Sequence, residues 1–175
     1  MFEPVIKKIL GACIAAPLLS FPAVADEVQR RDDGHYLDGA GNPTYHVAED
    51  GTVDWVTYEG FRRYGASCIH CHGPDGLGST FAPPMIDSLK KLSYADFYKL
   101  VTEGTRTVSG TVQSIMPPFG DNPNIRCHID AIYIYLKART DDRIPRGRPS
   151  RKEPQTDAAR DAEQACLGPQ RGGVR

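Results

Sequence analysis

Apolar and polar positions alternate with helical spacing in three stretches of the chain, and turn-forming residues separate them. The first stretch starts at Asp54, a suitable N-cap, and runs toward Ser67, with Tyr58, Phe61 and Gly65 spaced along one face. The second is bounded by sharper signals. Ser93 and Asp96 form a capping box, Leu92 can staple onto Phe97, and Gly104 stops the helix. The third begins around Asn124 to Cys127 and continues to about Arg139, with Ile129, Ile132, Tyr133 and Leu136 recurring at helical intervals. A glycine-rich loop from Gly73 to Gly78 and an extended Phe81-Ala82-Pro83-Pro84 run lie between the first two helices. This pattern predicts an all-α domain over residues 54–140.

The flanks read differently. Residues 26–53 are polar and rich in turns (Asp32-Asp33-Gly34, Gly39-Ala40-Gly41-Asn42-Pro43, Glu49-Asp50-Gly51), with short candidate strands only around Tyr45 to Val47. They predict an irregular N-terminal arm wrapped over the core. Residues 141–175 turn to Arg, Pro, Asp and Gln and predict an extended, charged C-terminal tail with a short helix at Ala158 to Ala165. Ahead of the arm, Lys7 and Lys8 precede an apolar run from Ile9 to Val24 that ends in Ala23-Val24-Ala25. A charged start, an apolar middle and an A-x-A site describe a secretory signal over residues 1–25, cut after Ala25. Pro17 and Pro22 break the run, and it is short for a membrane span, so no span is expected in the mature protein. Leu10-Gly11-Ala12-Cys13 imitates a lipoprotein acylation box, but almost no apolar run precedes it.

Export changes the chemistry to look for. Without Lys7, Lys8 and Glu3, the 21 basic and 22 acidic residues become 19 and 21, a formal charge of −2, which excludes a basic nucleic-acid binder. Four cysteines remain, Cys68, Cys71, Cys127 and Cys166, in a compartment that permits disulfides. Cys127 starts the last core helix and Cys166 lies near the end of the tail, so a bond between them would clasp the tail to the core. The alternative is two reduced or intermolecular thiols.

Cys68-Ile69-His70-Cys71-His72 is a C-x-x-C-H motif, the attachment signature of c-type haem. Two thiols three positions apart reach both vinyl groups of one porphyrin, and the next residue, His72, faces the iron. Zinc would want two further ligands at matched spacing, and Cys127 and Cys166 are isolated from each other. A thioredoxin-like pair would want a strand before and a helix after, whereas here a helix leads in and glycines lead out. Haem attachment takes place outside the cytoplasm, in keeping with the leader.

For the sixth ligand, Met116 lies 44 residues beyond His72 within Ser114-Ile115-Met116-Pro117-Pro118-Phe119-Gly120, where two prolines stiffen the loop over the far face of the haem. Met85 follows His72 by only 13 residues and reads as a core thioether. His46 and His128 remain the alternative ligands.

Around these residues the chain resembles the class I cytochrome c family, over roughly Trp55 to Ala138. Gly60, Tyr64 and Cys68 match the family's glycine and aromatic at four-residue steps before the first cysteine, and Ile132, Tyr135, Leu136 and Lys137 match its terminal helix. The resemblance implies a close crossing of first and last helices around one covalent haem c, with Pro83 or Pro84 offering a carbonyl to the second nitrogen of His72. A His/Met pair fills both axial positions and favours the reduced iron, which suits electron transfer better than catalysis. The whole mature chain is similar to the methanol-metabolism-related c-type cytochromes, which have two cysteines beyond the haem pair. That similarity implies a periplasmic carrier taking electrons from a PQQ-dependent alcohol dehydrogenase and passing them to a downstream cytochrome or oxidase.

Rival functions make different demands. A general shuttle between a bc1 complex and an oxidase needs no dehydrogenase. A peroxidase-type haem enzyme needs an open sixth position, and a haem sensor needs an output domain. Arg139, Arg143, Arg146, Arg148, Arg151 and Lys152 could steer docking onto an acidic partner, but the interleaved Asp141, Asp142 and Glu153 fit a solvated tail equally well.

Overall fold

The computed structural model describes residues 28–109 and 112–168. The expected leader, its cleavage site, Cys13 and the last residues of the tail lie outside the described residues.

Helix α1 (Trp55–Ser67) begins where its cap is strongest. Asp54 accepts hydrogen bonds from the Thr57 amide at 2.8 Å and the Thr57 hydroxyl at 2.5 Å, and a further one from the His46 amide. α4 (Tyr94–Glu103) keeps both expected ends: Ser93 accepts from the Asp96 amide, and Gly104 closes it at φ 72°. Between them come the short helix α2 (Ile69–His72) and then α3 (Met85–Leu89), which starts directly after Pro84. The extended Phe81–Pro84 run therefore ends where the sequence suggested. The Pro84 carbonyl accepts from the Ser88 amide and hydroxyl, so Pro84 opens a helix.

The third predicted helix is two. α5 (Pro123–Arg126) and α6 (Ile129–Thr140) are separated at Cys127 and His128. The His128 ring takes the Asn124 carbonyl at 3.0 Å, which a continuing α-helix would have paired with the His128 amide, and that amide turns to Ile125 instead. α6 is buried on nearly every side, from Ile129 through Ala138, so it is the central element rather than an amphipathic surface helix. α1 crosses it through Gly60, where an added Cβ would overlap the Ala131 carbonyl. Gly65, expected on the packed face, has no neighbour within 4 Å of that position. Tyr64, Tyr135 and Phe61 stack at the crossing, with ring centroids 5.6–5.7 Å apart.

The core is helical, and small sheets have been added to it. β1 (Gln29–Arg30), β2 (Tyr36–Leu37) and β3 (Pro43–Thr44) form an antiparallel sheet in the arm. β4 (Thr105–Ser109) and β5 (Val112–Met116) form a hairpin in register Thr105 to Met116. The hairpin is not among the elements predicted above; the β-branched Thr105, Thr107, Val108, Val112 and Ile115 favour it, and Pro117 and Pro118 follow its end.

The segment after α6 packs onto the core. Ile144 is buried, and the Glu153 amide bonds to the Val53 carbonyl in a parallel bridge at Lys152. Lys152 lies 4.7 Å over the Trp55 ring, and the Arg148 guanidinium bonds to the Tyr58 hydroxyl. Arg146 pairs with Asp75, and Arg151 with Asp50. The basic run is thus largely spent on contacts within the chain, in place of a solvated tail. α7 (Asp157–Leu167), capped by Thr156, ends the described residues.

Cys127 and Cys166 form a disulfide, with Cα atoms 5.8 Å apart, that fastens α7 to the start of α6. Beside it Glu163 bonds His128 at 3.0 Å and Arg63 at 2.8 Å. Closing a loop across a sequence separation of 39 contributes about 4 kcal/mol on chain entropy. Alkylation without reductant is expected to leave both cysteines unmodified. The Cys166→Ser protein is expected to unfold at lower denaturant, by up to about 4 kcal/mol. Two cysteines that alkylate without reductant would break the clasp.

Candidate functional site

The C-x-x-C-H motif occupies the end of α1 and all of α2. The α1 backbone passes straight into it: the Cys68 amide bonds the Tyr64 carbonyl, and the Cys71 and His72 amides bond the Cys68 carbonyl. Tyr64 then locks the glycine loop that follows. Its hydroxyl donates to the Gly73 carbonyl at 2.5 Å and accepts from the Gly76 amide at 3.0 Å. Gly73 and Gly78 both have positive φ, and an added Cβ on Gly78 would stand 2.8 Å from the Pro84 nitrogen. The loop is therefore pressed against Pro83 and Pro84, and no larger residue fits there.

That packing places His72. Its Nδ1 is buried and has no hydrogen-bond partner among the described residues. The Pro83 backbone lies beside the ring. Burial lowers the His72 pKa, and the Pro83 contact opposes this without cancelling it, so the ring is neutral at neutral pH. With Nδ1 buried, Nε2 is the nitrogen left to ligate a metal. The Pro84 carbonyl is already engaged by Ser88, which leaves Pro83 as the residue at His72.

Cys68 and Cys71 are both free thiols. Burial, with a smaller contribution from Cys71, pushes the Cys68 thiol up to about 12, the reverse of what a thiolate redox pair requires. Two unpaired cysteines, a neutral imidazole and an available thioether make a donor set that fits haem c. Met116 offers a thioether from an independent support. It is half-buried against the core, last in β5 and paired with Thr105. Past it, the Phe119 and Gly120 amides bond back to Val101 and Thr102 on α4. Met85 packs on the core at the start of α3, as expected for a filler. His46 stacks on Tyr36 at 4.8 Å, and both nitrogens of His128 are taken by Asn124 and Glu163.

Comparison with known proteins agrees with this geometry. The family described as cytochrome c oxidase, cbb3-type, subunit III matches residues 57–136. Cytochrome c-555 of Methylococcus capsulatus is 38% identical over 96 residues, which are 54% of this chain and 72% of that protein. The crystal structure of the c-type cytochrome XoxG from Methylobacterium extorquens AM1 superposes with a TM-score of 0.73 at 45% identity, covering 81% of this chain and 87% of that one. The chain belongs to the class I c-type cytochromes.

The cytochrome has another relative in cytochrome c-553I of Paracoccus denitrificans, 43% identical over 136 residues; these make up 78% of this chain but 60% of that protein's length. Membership brings one covalently bound haem c and an electron-carrying role. No helix among the described residues is long and apolar enough to cross a membrane.

Two polar clusters in this cytochrome carry no signal in the sequence. Glu59, His128 and Glu163 converge within 4.8 Å, but Arg63 reaches both carboxylates, at 2.5 and 2.8 Å, so the group is an ion-pair clasp for α7. Asp75, inside the loop after His72, is buried and bonded to the C-terminal segment. A lone aspartate in a glycine loop reads as a turn residue, and nothing in the sequence links it to residues 71 positions and more away.

Proposed function

We propose that Cys68 and Cys71 carry the haem through thioether bonds, that His72 and Met116 are its axial ligands, and that this periplasmic protein accepts single electrons from a PQQ-dependent alcohol dehydrogenase for delivery to a downstream cytochrome or oxidase. The observation that carries the site assignment is the seat of His72: a buried, unpartnered Nδ1 on a ring beside Pro83, next to a loop that Tyr64 and the glycines hold rigid. The haem supplies a one-electron iron couple. The chain supplies the rest. The two cysteines tether, burial keeps the imidazole neutral with Pro83 beside it, and the β4–β5 support holds the Met116 thioether in place through both oxidation states.

Two features support exchange with a protein partner. Leu77, Phe81 (76% exposed) and Ile115 are large apolar side chains left at the surface in the two segments that carry His72 and Met116, so a partner can desolvate them on docking. The leader expected over residues 1–25 sends the chain to the compartment of quinoprotein dehydrogenases, and the four-cysteine resemblance supports that choice of donor. The test is anaerobic stopped-flow mixing of the oxidised cytochrome with a PQQ-dependent methanol dehydrogenase from the same organism, plus methanol. Rapid reduction that saturates with enzyme concentration is expected. No reduction, with the haem still reducible by ascorbate, would leave an electron carrier with a different donor.

A further inference from the structure

Asp75 stands three residues beyond His72 at φ 59°, a left-handed conformation that residues other than glycine seldom adopt. Its side chain is 8% exposed, and it accepts hydrogen bonds from the Gly147 amide at 2.8 Å, Arg146 Nε at 3.2 Å and the Tyr135 hydroxyl at 3.3 Å. Burial is the largest influence and would raise its pKa. The bonds from Gly147 and Arg146 and the charges of Arg139 and Arg146 together outweigh it, so the carboxyl stays ionised. Three residues of chain span at most about 11 Å between Cα atoms, so the charge is anchored on backbone near the ligand histidine. Tyr64 pins the residues on both sides of the loop, Gly73 and Gly76, and holds the charge in place. The facing cations do not balance it evenly. Arg146 is 68% exposed and screened by solvent, while Arg139 is buried and also bonds the Ile144 carbonyl.

We propose that the Asp75 carboxylate is a fixed negative charge that lowers the reduction potential of the haem held at His72, and that the C-terminal segment, through Gly147 and Arg146, keeps it in position. The inference rests on the haem assignment above. Reduction removes one positive charge from the iron centre, so a nearby anion favours the oxidised state. The segment after α6 therefore belongs to the redox machinery, since it contributes the amide and the guanidinium that keep a buried carboxylate charged. Asp75 acts as a positioning and tuning residue and need not touch the cofactor.

The experiment is spectroelectrochemical titration of the Asp75→Asn holoprotein. Asparagine tolerates the left-handed backbone and its side-chain oxygen can still accept from Gly147, so the charge is removed while the shape stays. A unit charge about 10 Å away, at an effective dielectric of about 20, changes the ratio of reduced to oxidised protein at fixed potential on the order of tenfold. That is an upward shift of about 59 mV for a one-electron couple. A merely structural latch would move the other way, because a loosened segment admits water, which favours the ferric state. An unchanged or lowered midpoint overturns the proposal, and a lowered one accompanied by faster amide exchange over residues 141–148 would identify Asp75 as a latch only. Asp75→Gly relieves the backbone altogether, and the same rise is expected if the asparagine protein fails to mature. A wild-type protein whose mass shows no covalent haem would bring down the underlying assignment instead.

Discussion

Replacing Met116 by alanine is expected to give a protein that keeps its haem covalently but loses the low-spin, methionine-ligated spectrum and falls in reduction potential. The two effects separate because the groups responsible sit on independent supports. Cys68, Cys71 and His72 are fixed by the end of α1, by Tyr64 and by the loop pressed on Pro83 and Pro84, none of which involves β5. Met116 is fixed by backbone pairing with Thr105 and by the Phe119 and Gly120 bonds to α4, and alanine preserves all of these. The side chain is half-buried, so its removal costs about 2 kcal/mol, the low end for a core methionine, and the fold survives. The potential falls because thioether ligation favours the reduced iron and its replacement by water does not. The readouts are the optical spectrum of the oxidised protein, its midpoint potential, and the mass of the haem-bearing chain. A spectrum identical to wild type would place the sixth ligand elsewhere, although His46 is stacked on Tyr36 and His128 has both nitrogens bonded.

What could be read from the chain alone was local. Asp54, Ser93 and Gly104 mark helix ends through bonds to residues within four positions, and their elements begin and end where those residues say. The disulfide was also foreseeable, because few cysteines remained to pair. What escaped was encoded at long range or by competition. α6 could not be told from α5 plus a turn until the His128 ring was seen to take the Asn124 carbonyl. Pro83 and Pro84 are equivalent in sequence and differ only because Ser88 claims the carbonyl of one. The C-terminal segment fitted a docking patch and a solvated tail equally well because its composition is charged, yet three of its cations find particular partners far back in the chain: Lys152 over Trp55, Arg148 at Tyr58, Arg146 at Asp75. Composition records that charge is present and leaves open whether water or protein receives it.

Gly60→Ala is expected to be strongly destabilising, and Gly65→Ala, on the same helix, to be neutral or stabilising. In an exposed helix, replacing glycine by alanine gains up to about 1 kcal/mol. At Gly65 nothing lies within 4 Å of the new methyl, so that gain is available. At Gly60 the methyl would overlap the Ala131 carbonyl and stand 2.8 Å from the Tyr135 Cβ. These atoms belong to the backbone and first side-chain carbon of α6, so no rotamer change can move them aside. α1 and α6 must separate, and the Tyr64, Tyr135 and Phe61 stack opens with them. The cost is roughly 3–5 kcal/mol, the upper range for overpacking a rigid contact and a large share of a domain's total stability. Because α1 ends in the haem motif, the same separation displaces Tyr64 from Gly73 and Gly76, so haem incorporation should fall together with stability. Urea unfolding of the two holoproteins, followed in the far-ultraviolet and at the haem band, measures the difference directly. Equal midpoints for the two variants would mean that the helices cross less closely than the Gly60–Ala131 contact requires.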